Sequence, residues 1–482
     1  MTTKPASFLS GIFIIIFVAF LIRLIPLNQS LWLDQAINVT AVTQNSPTDL
    51  ITKYAIGDFH PPLYHLVLYY WVKLVGNNEI SARLPSALFG LVTIWFSYLI
   101  SRHLLEDKKI ELLGLNLSIN FIPAILLATS GLHIYYSGEA RMYSAAAAFT
   151  TMAVYFLIAR KKTTTSKIQD KDIFLVLSLV AMLLTDYVPW LLFPVFFIYF
   201  PIHSSLALLT TAPWWPYFYR QLQVGLTTAS EFPGWGQVVG AFSLKNLVLV
   251  PVKFLVGRVS IDNNFVFGLI LLLPLLIAGF LFFKAIVALK TNPKFNQKMI
   301  LFWFFVPLVI GALLSFKISL FSYFRFLFIL PAFYLTLTLG LSHLTKKIAT
   351  QLLLVLVIVN FVSTTAYLFL PQFHREDWRG LSTWIDQQNQ PSALTIFPSL
   401  AQAAPYLYYQ HQVSVADKVN FNQPPKNIYL MRYVQEIFDP LDSHRQLIEE
   451  EWGYQFVEQK NFNGVVVFFY QYPGEFFAQS TF

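Results

Sequence analysis

The sequence contains no cysteine. That absence removes disulfide frameworks, thiolate metal sites and a cysteine nucleophile together, and leaves histidine and carboxylate as the ligands for any metal. Charge is also scarce, at 12% of 482 residues, against roughly 25% in a soluble domain. No glycine-rich loop of the Walker or dinucleotide type is present, so a nucleotide donor has no recognisable phosphate cradle. Neither an internal repeat nor a low-complexity linker is found, which gives no support to a transporter built from two similar halves.

What is present is apolar and aromatic. Hydrophobic residues make up 56% of the chain, with 47 Phe, 24 Tyr and 11 Trp, and the mean hydropathy is +0.56. Such a composition describes an integral membrane protein with material for interfacial aromatic belts. The net charge of +8 lies in short loops between apolar segments and reads as topology, not as a nucleic-acid surface. One Lys precedes an apolar run from Phe8 to Leu27, too long for a signal-peptide core and lacking a small-residue cleavage site, so an uncleaved first span is expected.

Apolar segments near 8–27, 81–101, 112–134, 140–159, 172–187, 188–202, 204–219, 265–289, 299–316, 321–344 and 348–370 predict a polytopic α-helical protein of about 11 transmembrane helices, up to 13. The segments between 172 and 219 are short and crowded with proline. Arg102, Lys108 and Lys109 share one loop; Arg160, Lys161, Lys162, Lys167 and Lys171 share the next on that side. Lys290, Lys294 and Lys298, and then Lys346 and Lys347, follow the same alternation. All four loops are expected in the cytoplasm, with the N-terminus. Loops 28–80 and 220–264, the junction 135–139 and everything after Pro371 then face outward. The tail 371–482 has soluble composition: "HREDWRGLSTWIDQQN" and "DSHRQLIEEEWG" read as helices, "ALTIF" and "GVVVFFYQY" as strands. A transmembrane module over 1–370 and a small extracytoplasmic α/β domain over 371–482 are expected.

The unusual polar residues all fall at this outer face. "SLWLDQAIN" carries Asp34, a position that a solvated helix N-terminus would equally favour. "GDFHPPLYH" carries Asp58, His60 and His65 on a corner stiffened by two prolines; Asp58 and His60 suit a divalent ion or sugar hydroxyls, and His65 a structural turn. "YYSGEARMYS" joins two apolar stretches with Glu139 and Arg141. An Arg there needs an anionic partner, which neighbouring carboxylates or a lipid phosphate can supply. Arg325 in "SYFRFLFILPAF" and Arg83 in "SARLPSALFG" enter spans from outside, where snorkelling alone can account for a cation.

An outward site with carboxylates, arginines and a histidine suits transfer of a group from a phosphate: a base activates the acceptor and positive charge steadies the leaving phosphate. At the outer face the donor would come from the membrane, as a sugar on a polyprenyl phosphate. At this point "LWLDQA", "HPPLYH", "ARLPSALFG", "YYSGEARMYS", the Arg before "LPAF" and "EDWRG" resemble, in order, bacterial membrane glycosyltransferases of the protein-mannosyltransferase-like family. These belong to the GT-C superfamily and are relatives of the lipid A aminoarabinose transferases; the resemblance spans residues 30 to 380. It implies a GT-C-like fold, Asp34 as catalytic base in an inverting displacement, and Arg141, with Arg83 and Arg325, at the donor phosphate. It implies an extracytoplasmic acceptor and a multi-pass location in the cell membrane, with Asp58, His60 and Glu139 as acceptor or metal candidates. Two departures stand out: Gln35 where members often carry Glu after the Asp, and Phe326 where many carry Tyr after the Arg. No cofactor is required by the pattern, although relatives vary in metal use. A flippase of lipid-linked sugars, marked by movement without a new glycosidic bond, and a glycan polymerase or ligase are the alternatives.

Overall fold

The computed structural model describes residues 5–160, 169–231, 240–291, 295–388, 390, 393–410, 414–416 and 425–473. Lys161, Lys162, Lys167 and Lys294 of the basic loops, and Phe232–Gln237 of "EFPGWGQ", lie outside the described residues. Among the described residues, six helices are long and apolar enough to cross a membrane: Ser10–Asn28, Glu79–Leu104, Asn264–Thr291, Asn296–Leu314, Tyr323–Ser342 and Lys346–Phe369. A bent pair, Ile119–Ala128 and Gly131–Ser137, meets at 57° and counts as a seventh if taken as one span.

Several expected spans therefore change. The segment 112–134 does not begin as a helix. Strands β1 (Lys109–Leu112) and β2 (Leu115–Ser118) pair antiparallel across Leu113 and Gly114, whose φ values of 50° and 79° build a tight turn between two strands. Between 170 and 214 the helices Asp170–Leu183, Phe193–Tyr199 and Pro201–Thr211 are each shorter than a full crossing. For the second and third of these, proline in the first turn (Pro194 and Pro201) is the local reason, because it suits that turn and breaks any helix running into it.

The break in the bent pair is satisfied by side chains, as membrane interiors require. Buried Arg23 donates to the carbonyls of Leu127 (3.2 Å) and Ala128 (3.3 Å), Asn360 to Leu126 O at 3.0 Å, and Thr364 to Thr129 O at 2.7 Å. A cation at the C-terminal end of the half-helix also complements its dipole. The break turns the chain so that residues 138–142 enter the site.

The ends of the helices sort into two groups. Lys108 reaches Ser342 O at 2.9 Å, Lys346 reaches Asn116 at 2.9 Å, and Gln297 reaches Leu104 O at 2.8 Å. Asn296 faces Ile158 O at 3.5 Å. The four basic loops thus meet at one end, and the unusual polar residues gather at the other.

After Pro371 the chain forms helix Trp378–Gln387, capped by the Asp377 side chain on Gly380 N–H at 2.9 Å. A five-stranded sheet follows, ordered β4 (Ser414–Ala416), β3 (Leu394–Ile396), β5 (Asn427–Arg432), β7 (Val465–Gln471) and β6 (Gln455–Phe462), with β3 parallel to both neighbours. Alternation along β5 and β7 sends Tyr429, Met431, Val465 and Val467 to one face with Trp378 and Leu381. Ile428, Leu430, Phe468 and Tyr470 go to the other, the two-residue period of a strand covered on both faces. Leu33 packs on the first of these clusters, and Tyr408 packs beside Leu31, Ala36 and Ala140, so the sheet-bearing region sits directly on the helix that carries Asp34.

Candidate active site

Asp34 stands in the first turn of helix Leu33–Gln44. The strand of chain leading to it is gripped from two sides. Arg83, buried in its span, donates to Leu27 O (2.8 Å), Ser30 O (2.9 Å), Gln29 O and the side chain of Gln35 (2.8 Å). From the C-terminal region, Tyr409 Oη accepts the Leu31 N–H at 2.8 Å and donates to Glu79 at 2.9 Å, and Arg379 bonds Glu79 at 2.5 Å. Each nitrogen of Arg83 bonds this stretch of chain, so the guanidinium is spent mainly on holding the Asp34 helix in place. Gln35, the departure from the usual Glu, is its partner.

Asp58 sits on the corner before the two prolines, where Phe59 adopts φ 61° and the Leu63 N–H is tied to Leu184 O at 2.9 Å. Its carboxylate is enclosed, at 8% exposure, by Arg141 Nη1 (2.9 Å), His60 Nδ1 (2.9 Å) and His65 Nε2 (3.1 Å). His65 is therefore part of the site's floor rather than only a turn residue. Asn38 Oδ1 receives Tyr54 Oη at 2.6 Å and Arg141 Nη1 at 3.3 Å.

Arg141 spans both carboxylates, with Nη2 at 3.7 Å from Asp34 Oδ2. Asp34 keeps 35% of its side-chain surface open and is the accessible member of the pair. Burial disfavours ionisation of both, but the outcomes differ. At Asp58 the attraction of Arg141, joined by His60 and His65, outweighs it and holds the carboxyl well below the usual range. At Asp34 burial dominates, Arg141 offsets it only in part, and the Asp58 charge adds to it, so the carboxyl is raised. Burial works against the charge on Arg141 too, yet Asp58 and Asp34 carry it well above its ordinary value.

A second group lies beside Asp34. Arg375, just after the last span, stacks on Trp32 at 3.7 Å and bonds buried Glu139 at 3.3 Å. Arg258 lies over the Tyr135 ring at 4.7 Å and donates to its hydroxyl at 2.5 Å. Trp32 Nε1, Arg141 Nε and Arg375 Nε are buried without a protein partner, the kind of orphan that a ligand or water usually answers. Arg325 donates from Nη1 to Ser319 O at 2.9 Å, and Phe324 before it packs on Tyr136 and Tyr143. Asp186, 5% exposed, accepts the Val188 N–H at 3.2 Å; burial raises its carboxyl and His60 draws it partly back.

The sequence reading thus brings together Asp34, Asp58, His60, Glu139, Arg141 and Arg325, and places Arg83 just behind them. Arg258, Arg375, Asn38, Tyr54 and Asp186 were missed. Arg375 was visible only as part of a soluble helix start, and Arg258 as one cation in an outer loop. The proposed Asp58 and His60 metal pair does not fit a resident ion. Both Asp58 oxygens are taken by Arg141 and the histidines, and among the described residues no group of three or more His, Asp or Glu could hold a metal.

Broken spans, a cluster of carboxylates and arginines at one end, and an appended α/β sheet together make a fold similar to that of the GT-C membrane glycosyltransferases. A family model described as dolichyl-phosphate-mannose-protein mannosyltransferase matches residues 59–116. Among solved structures, ArnT from Cupriavidus metallidurans bound to undecaprenyl phosphate is similar at TM-score 0.58 and 12% identity, covering 95% of this chain and 98% of that one. The Archaeoglobus fulgidus oligosaccharyltransferase in complex with Zn and sulfate is similar at TM-score 0.50 and 11% identity, over 86% of this chain and 67% of that one. No curated protein matches the chain in sequence. The resemblance read from the motifs therefore holds at the level of the fold.

Proposed function

We propose that the protein is a glycosyltransferase that moves a sugar from a polyprenyl-phosphate donor to an extracytoplasmic acceptor. The observation that carries this reading is the Asp34 carboxylate, partly open and raised toward neutrality, beside a guanidinium whose other end is locked on Asp58. A base must meet the acceptor and give up its charge easily; Asp34 meets both conditions and Asp58 neither. The fold shared with ArnT bound to undecaprenyl phosphate supports a donor of that class.

In the proposed step the acceptor oxygen or nitrogen attacks the anomeric carbon from the face opposite the phosphate. The new glycosidic bond forms as the bond from that carbon to the phosphate oxygen breaks, with inversion. The acceptor proton passes to Asp34, and polyprenyl phosphate leaves with the bonding electron pair. Arg258, Arg375 and Arg325, with donors to spare, steady the leaving phosphate. Arg141, expected at the donor phosphate, serves mainly to hold the two carboxylates. No step passes through a metal. The basic end faces the cytoplasm with the N-terminus, and the C-terminal domain over 371–482 stands outside the cell membrane.

Reconstituted protein supplied with a panel of undecaprenyl-phosphate sugars and an envelope extract as acceptor tests the reading. Release of undecaprenyl phosphate is expected from the unmodified chain and is lost in Asp34→Asn. Full release in that variant would remove Asp34 from the mechanism.

A further inference from the structure

The helix Trp215–Glu231 is not used by the mechanism, yet its residues sort onto three faces. With 3.6 residues per turn, Trp214, Phe218, Gln221 and Gly225 share one side. Trp215, Tyr219, Leu222 and Leu226 share the next, exposed at 46%, 61%, 37% and 53%, and Arg220, Gln223 and Thr227 form the third, also exposed.

The first face is bonded to the active-site corner. Gln221, 3% exposed, donates to the carbonyl of Ala55 and, at 3.0 Å, to that of His60, the residues that bracket Asp58. It accepts from Tyr187 Oη, which in turn accepts from Trp214 Nε1 at 2.9 Å. The Phe59 ring lies against Gly225, where an added Cβ would stand 3.5 Å away.

A helix with one protein face, one apolar face headed by Trp and Tyr, and one polar face has a single environment that satisfies all three: the membrane surface. The apolar face continues surface that already faces lipid, since Ile198, Ile202 and Leu209 on the preceding short helices are exposed at 72%, 72% and 71%.

We propose that this helix lies in the outer membrane interface with its Trp215, Tyr219, Leu222 and Leu226 face among lipid chains, and that Gln221 is a positioning residue tying that lipid-seated helix to the Asp58 and His60 corner. The positioning role rests on the transferase reading; the lipid seating does not. Rigid placement of the corner sets where Arg141, and through it Asp34, can stand.

The absence of cysteine lets single labels be read without background. Tyr219→Cys, Leu226→Cys, Arg220→Cys and Thr227→Cys would each carry an environment-sensitive fluorophore in phosphatidylethanolamine and phosphatidylglycerol vesicles containing brominated lipid. Quenching at 219 and 226 is expected to exceed that at 220 and 227 about threefold, given faces turned about 100° apart; equal quenching at all four overturns the seating. In Gln221→Leu, hydrogen exchange over residues 55–63 is expected to speed up while the remaining helices are unchanged, and unchanged exchange there overturns the latch. Turnover in that variant is expected to fall about tenfold with donor KM unchanged, about the cost of a small misplacement; full turnover overturns the positioning role. If the unmodified protein transfers no polyprenyl-phosphate sugar, the functional reading fails while the quenching and exchange results stand.

Discussion

The Leu33–Gln44 helix and the Ala55–Leu63 corner each present one aspartate to the same guanidinium. Asp58 lies 2.9 Å from Arg141 with two histidines around it, and Asp34 lies 3.7 Å away with 35% of its side chain open. Less than an ångström in distance, together with the two histidines around Asp58, separates the enclosed carboxylate from the accessible one. The corner can afford no slack, because an unpaired carboxylate at 8% exposure is costly in a low-dielectric setting. The helix keeps its aspartate less than fully paired, as the proposed role of a base requires.

Replacing the two residues one at a time probes this contrast most strongly. Asp34→Asn is expected to lower transfer by roughly 10²–10⁴, the range for loss of a general base, with the thermal midpoint unchanged or slightly raised. Asp58→Asn is expected to destabilise the protein by about 3–5 kcal/mol, the usual result of breaking a buried pair from one side, seen as a lower thermal midpoint in detergent. A midpoint that falls equally in both variants would erase the distinction.

The pH dependence separates the same two groups by sign. Asp34 is raised, so its ionised form costs stability near neutrality, and that cost vanishes as pH falls through its raised value. Transfer disappears over the same interval, giving an acid limb above the ordinary Asp value of about 3.9. Asp58 is depressed, so its stabilising contribution is intact above that ordinary value and is lost only as pH falls through its lower, folded-state value. Transfer should therefore fail in acid before the fold does, measured by rate and by circular dichroism on one pH series.

The smallest expected effect concerns the arginines. Arg258→Ala is expected to weaken undecaprenyl-phosphate binding about tenfold, the worth of one charge-assisted hydrogen bond, with the thermal midpoint little changed. Arg83→Ala is expected to act in the opposite sense, lowering the midpoint while leaving that affinity unchanged in the protein that remains folded. Native mass spectrometry of the two variants with undecaprenyl phosphate would reverse the roles assigned here if Arg83→Ala alone lost binding.

Much of the site was legible before any coordinates. Charged residues are so few in this chain that those interrupting apolar sequence, Asp34, Asp58, Glu139 and Arg141, stood out by their cost. The alternation of basic loops grouped them at one end, and the helix ends sort in the same way. The C-terminal helix Trp378–Gln387 and strands β3 and β7 were read from their periodicity. The short strands β4 and β5 were not, because Ser414–Ala416 is only three residues long and Ile428–Met431 is apolar on both faces of the sheet, which leaves no polar alternation in the sequence to read. The apolar run after Leu112 misled for a related reason: hydropathy counts residues and cannot see that Leu113 and Gly114 turn the chain back on itself.

What the amino-acid order determined by itself is the solvent of each segment and the chemical repertoire: lipid for the long runs, carboxylates and guanidiniums at one face, no thiol anywhere. These follow from local composition, since transfer free energies add along the chain. The tertiary structure alone decided which aspartate is free, that Arg83 serves the backbone of residues 27–30, and that Arg375 returns from beyond the last span to stack on Trp32. Those outcomes depend on distances between residues tens to hundreds of positions apart, and burial and Coulomb energy change with each ångström of that separation.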